Sequence, residues 1–244
     1  VQVAAAIRDA IAGGEWGPGE LIPPEPELAA RYGTTRATVN RALSILRAEG
    51  LIRPKQGRGT TVRALPVLHR DAAGRQRRAV REDGQARGAF DGELRRLGLT
   101  PRSEVDVRQV PAAAEVASLL GIDTGVMVLA RQRQMYADGE PVQMATSYLP
   151  LDIAAGTPIA AADPGPGGTY SRLAELGHAA AVFNETVQVR RPADDEARFL
   201  QMDLDQRVIA IRRTARTAAG RVVEVNEITM AAHQWELAYE WPAE

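Results

Sequence analysis

TTRATVNRALSILRAEGLIRPKQGRGTTV, residues 34–62, predicts one helix followed by a short basic hairpin. The helix runs from Thr35 to Glu49, with Thr35 suited to cap its start and Gly50 to stop it. Val39, Ala42, Leu43 and Leu46 recur at helical spacing and form an apolar stripe for a small core. Arg36, Ala37, Asn40, Arg41, Ser44 and Arg47 fall on the other side. That side offers donors, short side chains and no carboxylate, the chemistry needed to enter a major groove and touch base edges and phosphates. Beyond Gly50, residues 51–53 and 60–63 are β-like runs flanking a basic tip, Pro54-Lys55-Gln56-Gly57-Arg58-Gly59. From Arg36 to Arg63 seven Lys/Arg face a single acid, Glu49, in a chain whose net charge is only -1. A solvated helix followed by an ordinary hairpin is the alternative, and it leaves this segregation of charge unexplained. Helix, hairpin and charge occur in the order a winged helix-turn-helix requires.

Working outward, Val3, Ala6, Ile7, Ala10 and Ile11 predict a first amphipathic helix ended by Gly13-Gly14. Trp16-Gly17-Pro18-Gly19 is a turn, Leu21-Ile22 a short extended piece, and Glu25 to Tyr32 a second helix. Composition sets the remaining bounds. An apolar share of 45% with 25% charged residues is ordinary for a globular protein. No apolar run approaches a bilayer span, no signal peptide is visible, and we expect a cytoplasmic protein with no membrane partner. The absence of cysteine excludes disulfides, thiolate metal sites and a Cys nucleophile. Val1 in place of Met leads us to expect a short N-terminal piece outside this sequence. The near-neutral total confines any nucleic-acid contact to one patch.

PGELIPPEPELAARYGTTRATVNRALSILRAEGLIRPKQGRGTTV resembles the N-terminal module of GntR-type bacterial transcription regulators, across nearly all of residues 1–63. The resemblance implies that the start of the third helix and the wing tip touch DNA. It assigns DNA contact to Thr35, Arg36, Thr38 and Asn40 and to the tip Gln56, Gly57, Arg58 and Gly59; the basic helix face and tip add Arg41 and Lys55. Two departures stand out. Pro24, Glu25 and Pro26 replace the usual Ser-Glu-Arg opening of the second helix, which removes a phosphate-binding Arg, and Asn40 stands where Arg is common. Asn pairs bidentately with adenine where Arg prefers guanine, so the operator is expected to differ accordingly.

Residues 64–88 read as a linker, with six arginines from Arg70 to Arg87 and no apolar periodicity. They serve either as a solvated tether or as extra salt-sensitive phosphate contacts. From residue 89 to 244 strands and helices alternate, giving an α+β chain overall. Glu104 to Val110, Val126 to Tyr136 and Val142 to Tyr148 alternate as half-buried strands, and Asp138-Gly139 signals a hairpin. Pro111 to Leu120 and Pro192 to Leu200 read as helices opened by proline. The pattern of residues 104–150 recurs at 185–231: Pro111 aligns with Pro192, Glu115 with Glu196, Arg131 with Arg212 and Val142 with Val223. Two pseudo-equivalent halves in one antiparallel sheet follow, with a cleft between them as a natural ligand site.

RQRQMYADGEPVQMATSYLP and AGRVVEVNEI are similar to the UTRA effector-binding domain of the HutC branch of GntR regulators, whose fold is like that of chorismate lyase. On their own, Arg131 and Arg133 lie at i and i+2 of a strand and can point the same way, toward a phosphate or carboxylate, or simply toward solvent. The resemblance favours the ligand reading, because sugar-phosphate-binding members use arginines there. It also implies a backbone-NH anion site at Ala89-Phe90, pocket positions at Gly168 and Tyr170, and a hydroxyl-accepting carboxylate at Glu224. Gly168 lacks a hydroxyl, Ala145 replaces a common Glu and Met230 a frequent Tyr, so a more apolar anionic metabolite fits as well as a sugar phosphate.

An enzyme is the competing class. His69, His178 and His233 are isolated, no nucleophile elbow is present, and Pro164 to Gly168 lacks the Lys of a phosphate-transfer loop. We therefore expect no catalytic residues, metal or cofactor. The expectation is a homodimeric repressor binding double-stranded operator DNA and released by a small anionic effector, the dimer being implied by the resemblance. A constitutive DNA-binding dimer and a lyase-like enzyme with a DNA-binding appendage are the alternatives.

Overall fold

The computed structural model describes residues 2–55, 57–72, 74 and 88–241, in two compact units, Val1–Leu68 and His69–Glu244. Gln56 and the arginines at 75, 77, 78, 81 and 87 lie outside the described residues.

The first unit contains α1 (Gln2–Ala12), β1 (Leu21–Ile22), α2 (Glu25–Arg31), α3 (Arg36–Ala48), β2 (Ile52–Lys55) and β3 (Gly59–Val62). Its strands form an antiparallel sheet in the order β1-β3-β2. Thr35 Oγ1 accepts from the Thr38 backbone N–H at 3.2 Å, which sets where α3 begins. Pro26 sits in the first turn of α2, where the missing N–H has no intrahelical partner to lose. Val39, Ala42, Leu43 and Leu46 are buried with Ala4, Ile7, Leu28, Ile52 and Val62, so the stripe of α3 closes a core built from every element of the unit. Glu49 takes a bidentate pair from Arg8 of α1, at 3.1 and 2.6 Å, which neutralises the one acid in the basic stretch. The wing turns through Gly57 and Gly59 at φ +72 and +103, a region that disfavours any residue with a Cβ.

The second unit opens with β4 (Leu68–Asp71), which pairs with the last strand, β11 (Trp235–Ala238). Between them come α4 (Ala89–Arg96), β5 (Pro101–Pro111), α5 (Ala114–Leu120), β6 (Met127–Ala137), β7 (Glu140–Pro150), α6 (Leu151–Ala154), α7 (Gly168–Glu175), β8 (Val182–Arg190), α8 (Asp194–Leu200), β9 (Val208–Arg216) and β10 (Val222–Ala231). Strand, helix, strand, strand thus occurs twice. The antiparallel sheet has the order β5-β6-β7-β10-β9-β8, which reads the same from either edge. Central β7 and β10 join the halves, and each half's helix crosses over: α5 packs on β10 and α8 on β7. Asp138 and Gly139 both take positive φ, 48 and 81, as a two-residue hairpin turn demands.

Three expectations are corrected. Pro111 ends β5 opposite Met127, and α5 starts later, at Ala114; an edge strand tolerates a residue without an N–H. Pro192 likewise precedes α8, whose N-cap is Ala193; the Glu196 carboxylate accepts from the Ala193 N–H at 2.8 Å. Third, residues 68–71 of the expected linker are strand β4. Arg70 is 0% exposed and clamps Glu185 of β8 with both Nη atoms, Nη1 lying 2.9 Å from Oε2. The Tyr239 hydroxyl donates to the same oxygen at 3.1 Å. The local composition shows only an arginine among polar residues; its partner is supplied by a distant strand.

Burial alone would push the Glu185 carboxyl up, but the hydrogen bond and charge of Arg70, with Arg213 behind, outweigh it and hold it below the usual carboxylate range. A depressed folded-state pKa contributes stability that is complete above the unfolded value, about 4.3, and lost as pH falls through the folded one. Removing one partner of such a pair leaves a buried charge, so Glu185→Gln should lower urea-measured stability by about 3–5 kcal/mol at neutral pH. The same variant should show a shallower loss of stability on acidification below about pH 4, measured by urea titration at stepped pH. In the first unit, Leu46→Ala should cost about 2–5 kcal/mol by the same measurement, because Leu46 is fully buried.

Candidate functional site

The first half of α3 presents Thr35, Arg36, Thr38, Asn40 and Arg41 to solvent, and Lys55, Gly57, Arg58 and Gly59 are exposed on the wing. The surface is not free of carboxylates, as the sequence suggested. Glu25 of α2 accepts from Asn40 Nδ2 at 2.9 Å. A carboxylate can only accept, so this contact turns the amide nitrogen toward Glu25 and leaves Oδ1 and the second N–H available. One acceptor and one donor are what the adenine edge asks for.

In the second unit a cavity of about 920 Å³ opens on the face of the sheet away from α5 and α8. Its floor comes from both halves, β6 and β7 from one and β9 and β10 from the other, and α4, the 162–168 loop and the start of α7 wall it. The structure brings all seven predicted positions together here: Ala89, Phe90, Arg131, Arg133, Gly168, Tyr170 and Glu224 all line it. Their roles differ from residue to residue.

Arg131 shares a face with Arg133, yet its guanidinium donates to the carbonyls of Ile159, Ala161 and Ala162. A forked cation thus satisfies carbonyls that turn out of regular structure, and Arg131 builds the wall of the cavity. Burial, then the neighbouring charge of Arg133, push its pKa down to about 10, against the pull of Glu224 and Asp163. Arg133 donates from Nη2 to Ser147 Oγ at 2.6 Å and to Asn226 Oδ1 at 3.3 Å. Its pKa is also lowered, first by burial. The Tyr170 hydroxyl donates to the Glu224 carboxylate, and burial is the main reason its own pKa is raised. Met135, Ala145, Val105 and Ile228 supply apolar surface beside these groups, whereas Met230 is fully buried and does not line the cavity. Floor and wall together suit an anion that carries an apolar body.

Arg213 was missed. The gapless repeat alignment pairs Arg131 with Arg212, but Arg212 turns to the helix-covered face and pairs with Glu115. Arg213 takes the cavity face, 3.6 Å from Glu224, with its guanidinium 5.4 Å from the Tyr170 ring centre. Both hairpins skip a residue at equivalent places, Val142 and Val223. Between Arg216 and Val222, however, the second turns through five residues, 217–221, where the first uses four, 137–140, between Tyr136 and Pro141. β9 thus slips by one against the repeat, and one residue of slip exchanges the faces of a strand. No local signal distinguishes Arg212 from Arg213. Among the described residues no group of three or more His, Asp or Glu is placed to hold a metal, and no helix is long and apolar enough to cross a membrane.

Comparison with known proteins accords with this geometry. Residues 1–62 match the bacterial regulatory proteins of the gntR family, and residues 96–235 match the UTRA domain. An uncharacterized HTH-type transcriptional regulator of Streptomyces coelicolor is 33% identical over 229 residues, 91% of this chain and 85% of that one. The histidine utilization repressor of Klebsiella aerogenes is 48% identical over 61 residues, 25% of each chain. The crystal structure of PhnF from Mycobacterium smegmatis has the same fold, at TM-score 0.62 and 22% identity, covering 99% of this chain and 100% of that one. These relatives are regulators of transcription, not enzymes. The chain therefore belongs to the GntR family of bacterial regulatory proteins, with its DNA-binding module followed by a UTRA domain.

Proposed function

We propose that this transcriptional regulator is a cytoplasmic homodimeric repressor that leaves its operator when a small anionic metabolite fills the cavity of the second unit. The observation that carries the proposal is the convergence of Arg131, Arg133 and Arg213 on one cavity floor, where Glu224 lines the cavity among them, with Asp91 and Asp163 on the wall and Asp91 already paired with Arg95. Buried cations in excess of acids attract an anion strongly, because little water remains to screen them. The apolar flank of Val105, Met135, Ala145 and Ile228 favours a ligand with a hydrocarbon body, and relatives named as repressors support the sign of regulation. Ligand acts by differing in affinity for two dimer shapes, one of which spaces the α3 helices to match two half-sites. DNA contact rests on Thr35, Arg36, Thr38, Asn40 and Arg41 and on the wing residues Lys55 to Gly59.

Thermal-shift screening of sugar phosphates and apolar carboxylates should find a stabilising compound that also releases the promoter fragment, and Arg133→Met should weaken its binding at least about tenfold. If nothing in such a panel stabilises the protein, the second unit serves only to dimerise a constitutive DNA-binding protein. Replacing Arg36 and Arg58 by alanine together should weaken promoter binding uniformly across sequences and reduce the salt slope by about two. Asn40→Arg should move base preference at one operator position from adenine toward guanine, read by selection from random duplexes; an unchanged preference would remove Asn40 from base readout.

A further inference from the structure

Arg131 of β6, Ser147 of β7, Asn226 of β10, Arg213 of β9 and Glu185 of β8 are successive cross-strand partners. Five polar side chains therefore stand in one row across the cavity face of the sheet, in register over five strands. The row is bonded as well as aligned. Arg133 bridges Ser147 and Asn226, and Arg213 lies 3.6 Å from Glu224 and 3.9 Å from Glu185. Arg131, Asn226 and Arg213 line the cavity and Ser147 bonds to Arg133, which also lines it; Glu185 is not among the lining residues and reaches the cavity through Arg213. At Glu185 the row ends on Arg70, fully buried in β4, the first strand after the wing.

We propose that this row couples the cavity to β4, with Glu185 and Arg70 as positioning residues that make the strand joined to the DNA-binding module sense an anion at Arg213. The inference rests on the reading of the cavity as an anion site. Arg213 is shared between two carboxylates at distances too long for good hydrogen bonds and is also held by the Tyr170 side chain, so a third anion at the cavity competes with the carboxylates for it directly. An anion that draws Arg213 toward the cavity weakens its hold on Glu185. The Glu185 charge then depends on Arg70, with the Tyr239 hydroxyl as a neutral donor, and in a poorly solvated site the ion pair tightens and holds β4 more firmly against the unit. Reciprocity follows: whatever removes Glu185 as a competitor frees Arg213 for the anion, and whatever removes Arg70 drives Glu185 back onto Arg213.

The test is hydrogen exchange by mass spectrometry on the full chain, titrated with inorganic phosphate at constant ionic strength. In the unaltered protein, phosphate should slow exchange at residues 88–91 and 163–168, around the cavity, and also at residues 68–72, by about fivefold or more at saturation. Arg70→Met should bind phosphate several-fold more weakly. The double variant Arg70→Met/Glu185→Met replaces the ion pair by apolar side chains of similar volume, so it should stay folded even if the single variant does not. It should bind phosphate about fivefold more tightly and lose the response at 68–72. If phosphate protects the cavity segments but not 68–72, or if the double variant keeps unaltered affinity, the coupling is wrong and the anion site stands. If phosphate leaves the cavity segments unprotected as well, the anion reading falls and the coupling with it.

Discussion

The pairing of Glu140–Pro150 with Val222–Ala231 is the interaction on which the second unit depends. Each half brings a strand, a helix and a hairpin, too little to cover both faces of its own sheet. Antiparallel pairing of the two central strands makes one six-stranded sheet, and the helices then cross, α5 over β10 and α8 over β7. Val116, Ala117 and Leu120 of one half are buried with Val225 of the other, so neither half keeps its core without its partner. The same pairing brings Arg133 of the first half to Asn226 of the second, and so creates the cavity floor.

A sheet face carrying Arg131, Arg133, Arg213, Glu185 and Glu224 is a poor way to stabilise a fold. Each charge is desolvated, and apolar residues of the same volume would serve stability equally well. The protein bears this by supplying partners one at a time: loop carbonyls for Arg131, Ser147 and Asn226 for Arg133, Arg70 and Tyr239 for Glu185. Arg213 has the loosest arrangement, poised between two carboxylates. That looseness sets the inner wall of the cavity apart from the structural ion pairs around it.

The first unit follows a different economy. Its core is small, and nearly every apolar residue of α3 is committed to it, which leaves the opposite side of the helix to chemistry with DNA. Arg8 holds Glu49 away from that side, while Glu25 reaches to its edge and orients Asn40. The usual opening of α2 is altered around Glu25, and the contact shows why this glutamate still matters beside Asn40.

Periodicity, turns and charge in the sequence determined the winged module and the doubled strand-helix-hairpin pattern, because these depend on neighbours a few residues apart; the seven cavity positions were implied by the resemblance to UTRA domains and not by spacing. Pro111 is assigned one element too late by sequence, since proline suits a strand end on an edge as well as a helix start, and only the pairing of β5 with β6 separates the two; Pro192 lies between β8 and α8 and belongs to neither. Tertiary structure alone decided that Arg213, not Arg212, faces the cavity, that Arg131 is bound to a loop, and that Arg70 of the apparent tether is buried against Glu185. Each of those outcomes turns on strand register or on a partner remote in the chain, and one residue of register exchanges the two faces of a strand without altering its composition.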